Sequence, residues 1–203
     1  MRIGEKIFTA FDIVGRTCTE VSSLVDTLPS QFAKQGMKLE FYDEGGKERD
    51  PWVHAGYIWN YKWVLNKPGK PGRQPDRYLG FQVLFYWNTD MPSPIRKEPL
   101  LHILHSNEGA WDYMEFDILE APKKYKLLED RLWDYREDIE RATWADRQWA
   151  FVLPLTSLED LQSISMEVVV PTVALLLKNA QPTDAFREAK NVIEFHVEDT
   201  DFK

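Results

Sequence analysis

The stretch Tyr57-Ile58-Trp59-Asn60-Tyr61-Lys62-Trp63 places an aromatic side chain at every second position, and Leu79, Phe81, Val83, Phe85 and Trp87 repeat the alternation further on. Side chains two apart on a strand share a face, so the pattern predicts two strands, over about 52–65 and 78–88, with one apolar layer on their odd-numbered residues. The layer is continuous only if odd residues face odd residues in an antiparallel pair, which requires an even register sum, for example 65 opposite 79.

Working outward, the chain before this pair indicates a long helix. Apolar residues recur at spacings of three and four, at Ile3, Ile7, Phe11, Val14, Cys18, Val21, Val25 and Leu28. That spacing describes one face of a helix, and Pro29 is expected to end it or to start a short second helix within a helical region over 1–36.

The chain after the pair predicts more strands and then helices. A second hairpin is expected between Leu100–Ser106 and Trp111–Leu119, which gives an antiparallel β-meander of about five strands over 38–119. The remainder, 124–203, reads as mainly helical with one or two short strands. The prediction is a single α+β domain over 1–203, with the long N-terminal helix and the C-terminal helices packed on the sheet.

Composition limits the classes of function. The chain has 203 residues and a net charge of −8, which disfavours binding to nucleic acid or to an anionic membrane because both surfaces are negative. The longest apolar stretch, Val168–Leu177, is about half of a membrane span, and no signal-peptide core is visible. A single cysteine excludes an intrachain disulfide. We therefore expect a cytoplasmic protein with no membrane contact.

Standard catalytic motifs are absent from the sequence. It contains no glycine-rich phosphate loop, no Cys-x-x-Cys, no His-Glu-x-x-His and no Gly-x-Ser-x-Gly. These absences favour a protein that is not an enzyme and that binds no cofactor, although the enzyme question stays open at this point.

The best catalytic candidates lie in the predicted 100–119 hairpin. His102 and His105 have a spacing seen in metal sites, but residues three apart on a strand point to opposite faces, so no metal site is predicted. Glu115 and Asp117 share one face of the second strand. A hydrolase that pairs either histidine with these carboxylates, with or without a divalent cation, is the alternative function.

Two charged segments are candidate binding surfaces. The proline-rich loop between the aromatic strands carries Lys67, Lys70, Arg73 and Arg77. Its prolines stiffen it, which reduces the entropy lost on binding. The second segment is a helix predicted over 129–140, because apolar residues from Leu128 and Leu132 onward recur at helical spacing. It carries Asp134, Glu137 and Asp138 on its solvent-exposed side.

The expected function follows from these surfaces and from the missing motifs. We expect a protein that binds another macromolecule, most simply a protein, as immunity proteins, inhibitors and phage or defence accessory proteins do. The aromatic strand has three interpretations: a core stripe, a protein-binding face, or, with the basic loop, a platform for single-stranded nucleic acid. The sequence does not define an oligomeric state.

Overall fold

A computed structural model describes residues 3–42, 56–64, 77–84, 99–111, 116, 121–136 and 143–195. Within these residues, seven antiparallel strands form one sheet in the order β1-β2-β3-β4-β7-β6-β5. The strands are β1 (Lys38–Tyr42), β2 (Gly56–Val64), β3 (Tyr78–Leu84), β4 (Leu100–Ser106), β5 (Tyr125–Leu128), β6 (Leu132–Tyr135) and β7 (Trp149–Pro154). The predicted α+β class and antiparallel sheet are confirmed, but the sheet has more strands than the five expected.

The aromatic strand forms the first face of the sheet, which we define by the row Trp59, Phe81, Ile103 and Phe151 across β2, β3, β4 and β7. Odd residues of β2 face odd residues of β3, so the predicted parity is confirmed. The example register is wrong, because Leu79 lies opposite Tyr61 and not residue 65. Tyr61 and Trp63 are buried in the core. These two rings therefore serve the core and cannot stack on a nucleic-acid base.

The first face is covered by the second half of helix α1 (Ile3–Lys34), through Val21, Val25, Leu28 and Phe32, and by the C-terminal helices. Pro29 lies inside α1, so the prediction that it ends the helix is wrong. A proline has no N–H to donate to the carbonyl four residues earlier, here that of Val25. The Tyr61 hydroxyl donates a hydrogen bond to that carbonyl at 3.3 Å. A side chain of the sheet thus satisfies the carbonyl that the proline leaves, and the helix continues.

The C-terminal helices are α3 (Leu161–Ile164), a π-helical turn (Ser165–Val169), α4 (Val170–Lys178) and α5 (Pro182–Ala185), which follow the short helix α2 (Ala121–Lys124). Glu167, on the π-helical turn, accepts hydrogen bonds from the backbone and side chain of Asn191 at 2.9 and 3.0 Å. By length and composition alone, Leu161–Lys178 could cross a membrane, but 56% of it is buried in the fold. A core helix of a soluble protein has the same properties, so this hydropathy is weak evidence for a membrane span.

The second face of the sheet, which carries His102 and Gln82, is also covered. Trp111, Phe116 and the segment 193–195 pack over it in a second apolar cluster. The side-chain amide of Asn60 exchanges two hydrogen bonds with the backbone of Trp111, at 2.8 and 3.1 Å. The cover on this face is therefore an irregular segment, held by hydrogen bonds to side chains of the strands.

The predicted hairpin over 100–119 is wrong. Strand β4 pairs with β3 along one side and with β7 along the other, so neither side remains for a strand over 111–119. The part of that segment over 112–115 and 117–119 lies outside the described residues.

The predicted acidic helix over 129–140 is wrong in its described part. Glu129 and Asp130 adopt left-handed backbone angles, with φ of 49° and 54°, and turn the chain from β5 into β6. Leu128 and Leu132, which suggested helical spacing, face each other across this hairpin. Within its described residues, 124–136 and 143–195, this C-terminal region contains three strands, β5, β6 and β7, where one or two were expected.

Candidate functional site

The most polar part of the described core lies at the end of the sheet where β2 and β4 end and β3 and β7 begin. We call it the polar cluster and define it as Arg77, His105, Asn107, Asp134, Asp146 and Arg147. A short turn, Trp144–Asp146, leads into β7. It contains Asp146 and directly precedes Arg147. The cluster thus joins residues in or next to three strands, β3, β4 and β6, to a single turn.

The first ion pair of the cluster joins Arg77, which directly precedes β3, to the turn. The Arg77 guanidinium donates to an Asp146 carboxylate oxygen at 2.6 Å and lies over the Trp63 ring, 5.4 Å from its centre. The Thr143 hydroxyl donates to the other oxygen of Asp146. Burial alone would raise the pKa of the Asp146 carboxyl, but these hydrogen bonds and the Arg77 charge outweigh burial and lower that pKa.

The second ion pair joins β6 to the same turn and is more deeply buried. The Arg147 guanidinium donates to the Asp134 carboxylate at 2.8 Å and stacks over the Trp144 ring at 4.5 Å. Only 1% of the Asp134 side chain is exposed, against 42% for Asp146, so solvent screens this pair far less. Because Asp134 is buried, it cannot belong to a solvent-exposed acidic surface.

His105 lies between the two ion pairs. Its Nδ1–H donates to the backbone carbonyl of Arg147 at 2.8 Å, and its ring stacks on Trp149 with a centre-to-centre distance of 5.1 Å. The side chain is fully buried, and burial lowers the pKa of His105 to about 3. The ring is therefore uncharged near neutral pH and lies out of reach of a substrate.

His102 lies on the opposite face, as its spacing from His105 predicts. The Gln82 amide donates to His102 Nδ1 and also to the Phe116 carbonyl, each at 3.0 Å. Burial lowers the pKa of His102 to about 3 as well. The two histidines thus belong to separate buried networks and share no ligand position.

The acidic partners expected for these histidines cannot be located, because Glu115 and Asp117 lie outside the described residues. Among the residues that the structure does describe, no three His, Cys, Asp or Glu side chains lie close enough together to hold a metal ion. The predicted hairpin that was to bring histidine and carboxylate together is itself not formed.

Both predicted charged segments attach at the polar cluster. The loop 65–76 connects Val64 to Arg77, and the segment 137–142 connects Arg136 to Thr143. Of the predicted binding residues, Arg77 and Asp134 are inside the cluster, in ion pairs. The others, Lys67, Lys70, Arg73, Glu137 and Asp138, lie outside the described residues. The described ends of the two segments are thus fixed to one scaffold.

Sequence reasoning missed Asp146, Arg147 and Asn107. Their partners are distant in the chain: Arg77 is 69 residues from Asp146. The amide of Asn107 donates to the Asp146 carbonyl at 2.9 Å across a separation of 39 residues. The only local signal is Trp144, two residues before Asp146 and three before Arg147. Sequence alone does not connect these residues to Arg77 or Asp134.

Comparison of the chain with protein-family models, with curated proteins and with solved structures finds no match. The fold and the polar cluster are therefore the basis for the functional argument.

Proposed function

We propose that this chain is a non-enzymatic, cytoplasmic protein that binds another protein at the end of the sheet where the polar cluster lies. The observation that carries the proposal is the pair of ion pairs Arg77–Asp146 and Arg147–Asp134, which hold the described ends of the two charged segments on one turn. Fixing the ends of a loop lowers the entropy that it loses on binding, so such bracing favours a contact surface.

The state of the histidines supports a binding role over catalysis. General base catalysis needs an imidazole within hydrogen-bonding reach of the substrate. His102 and His105 are both fully buried, and each already holds a hydrogen bond inside the fold. Their burial counts against the hydrolase alternative, which relied on one of these histidines as its base.

The basic loop is the contact that we assign to the partner. Arg77 is paired with Asp146, so we assign the partner contact to the other three cations of the loop, Lys67, Lys70 and Arg73. Three cations in a chain of net charge −8 suit an acidic patch on a protein better than a nucleic acid, which the rest of the surface repels. Immunity proteins, inhibitors and phage or defence accessory proteins are the classes that we favour.

The test compares two triple variants of equal charge change. The test variant is Lys67→Ser/Lys70→Ser/Arg73→Ser. The control is Lys124→Ser/Lys126→Ser/Lys178→Ser, which alters exposed lysines elsewhere. Each protein captures partners from native lysate of the source cells, and bound proteins are quantified by mass spectrometry. We expect a specific prey that the wild type and the control retain and that the loop variant loses by at least about tenfold.

Three outcomes would contradict the proposal. One is the same prey with all three proteins, and another is no enriched prey at all. The third is loss of the prey only on Glu137→Gln/Asp138→Asn, which would assign the contact to the acidic segment. Asp134 is left unchanged throughout because its loss would unfold the cluster.

A further inference from the structure

Strand β1 is an outer strand of the sheet, and no described strand pairs with its far side. Phe41, on the first face, is 56% exposed, although its ring contacts Tyr61 edge-on at 5.7 Å. An outer strand whose far side meets no other described strand, and which carries an exposed ring, is a template for a further strand.

The backbone of β1 shows which residues point outward. Trp63 N–H donates to the Arg77 carbonyl at 2.8 Å, so the odd residues of β2 bond to β3. Because bonding direction alternates along a strand, the even residues of β2 bond to β1. Their partners are Lys38, Glu40 and Tyr42. Leu39 and Phe41 therefore direct their N–H and C=O groups away from the sheet.

The charges of β1 are complementary to a second copy of the same strand. Lys38 and Glu40 lie on the second face, 58% and 51% exposed, with 2.6 Å between Nζ and the carboxylate. An antiparallel twofold pairing centred on Leu39 places Lys38 of each copy opposite Glu40 of the other. A pairing centred on Glu40 would instead place two like charges opposite each other, which destabilises a strand pair.

We propose that β1 pairs antiparallel with β1 of a second copy of this chain, about a twofold axis at Leu39. Closed twofold dimers are the commonest homo-oligomers, and their contacts are self-complementary in this way. The outward groups of Leu39 bond to Leu39 of the other copy, and Phe41 lies opposite Met37 of the other copy. The two sheets become one continuous sheet, with Phe41 covered at the junction. This inference concerns assembly and does not depend on the proposed partner.

The test measures mass by sedimentation velocity over a concentration series. The wild type is expected at twice the chain mass of 23.8 kDa. Glu40→Lys, which places lysine opposite lysine, is expected to weaken the dimer by at least about tenfold. The charge exchange Lys38→Glu/Glu40→Lys restores the opposite-charge pairs and should restore the dimer. Glu20→Lys, an equal charge change at an exposed position of α1, is the control and should remain dimeric.

All the altered side chains are exposed, so each variant is expected to fold, and circular dichroism checks this. A wild-type monomer at every concentration would overturn the proposal, and so would a dimer that Glu40→Lys leaves unchanged. Failure of the charge exchange to restore the dimer, with folded protein, would overturn the Leu39-centred register. A strand from a different protein on this edge would appear as a monomeric wild type and would likewise count against the second copy.

Discussion

The two faces of the sheet bury polar groups by different chemistry. The first face holds charges, in the Arg147–Asp134 ion pair beside His105. The second face holds neutral amides, with Asn60 bonded to the backbone of Trp111 and Gln82 bonded to His102. Helices, which satisfy their own backbone, cover the first face. An irregular segment covers the second and needs hydrogen bonds from the strands.

The difference teaches where each face is vulnerable. On the first face, removal of one ionic partner leaves the other charge buried without compensation. On the second face, the cover approaches the strands so closely that a Cβ at Gly80 would lie 3.1 Å from the Trp111 ring. We therefore expect the first face to be sensitive to charge and the second face to be sensitive to volume.

The largest expected effect is at Asp134. Asp134→Ala leaves the Arg147 guanidinium buried without its carboxylate, and should lower the free energy of unfolding by about 3–5 kcal/mol. Urea unfolding followed by tryptophan fluorescence measures this change. The double variant Asp134→Leu/Arg147→Met should recover much of the loss, because it removes both charges. A cost below about 1 kcal/mol for the single variant would show that the pair is not buried in solution.

The next effect tests the volume limit of the second face. Gly80→Ala places a methyl group within 3.1–3.3 Å of Trp111, Asn60 and Leu104 and should cost about 1–3 kcal/mol through overpacking. Gly109→Ala is the matched control, since a Cβ there meets nothing within 4 Å. Thermal unfolding of both variants gives the comparison. Equal midpoints would contradict the close packing of Trp111 on β3.

A third prediction tests whether His102 and His105, one on each face, resist protonation to the same extent. His102 and His105 have pKa values lowered from 6.5 to about 3, so the unfolded chain binds these protons first as the pH falls. Their contribution to stability is complete above pH 6.5 and is lost toward pH 3. Below pH 6, each histidine should add about 1.4 kcal/mol per pH unit to the slope of the unfolding free energy against pH.

The slope is measured by urea unfolding between pH 5.0 and 6.5. His105→Phe and His102→Phe should each reduce the slope by about one histidine's share. If only one of these variants reduced the slope, the other histidine would be solvated, and the two faces would differ in how well they bury a histidine.

The smallest effect is expected at Asp146, whose ion pair is partly exposed. Asp146→Asn should cost less than about 1 kcal/mol at neutral pH, because solvent screens the Arg77–Asp146 pair. The pKa of Asp146 is lowered in the fold, so its contribution is present above the unfolded pKa and is lost as the pH falls through the folded one. The difference between wild type and variant should therefore shrink below about pH 4. A loss as large as that of Asp134→Ala would show equal burial of the two pairs.

The predictable part of the fold was the part with regular periodicity. The aromatic strand predicted its partner strand and the odd-to-odd parity of the pair, because the alternation of apolar side chains shows which face is buried. The stripe of α1 was equally clear, except at Pro29, where a distant tyrosine compensates for the missing N–H. The second face could not be predicted, since its cover is irregular and the bonds of Asn60 span 51 residues.

The site was less predictable than the fold for a related reason. Arg77 and Asp134 were selected as surface charges, but both are ion-pair partners inside the fold, Asp134 fully buried and Arg77 partly exposed. The sequence around Asp134 has helical spacing, yet two left-handed residues, Glu129 and Asp130, convert it into a hairpin. A charge in a strand looks the same in sequence whether its partner is water or a distant arginine.

Pro29 has one further consequence, for the position of α1 along the sheet. A smooth helix resting on a smooth apolar layer can shift by one turn, about 5.4 Å, and still bury similar area. The missing N–H at Pro29 leaves the carbonyl of Val25 without its helical donor, and the Tyr61 hydroxyl of the layer donates to it. Burial raises the pKa of Tyr61 to about 12, with a contribution from Asp26, so the hydroxyl keeps its proton as a donor well into alkaline pH. Proline usually ends a helix, but Pro29 instead fixes the position of α1 along the sheet, through the hydrogen bond between Tyr61 and Val25.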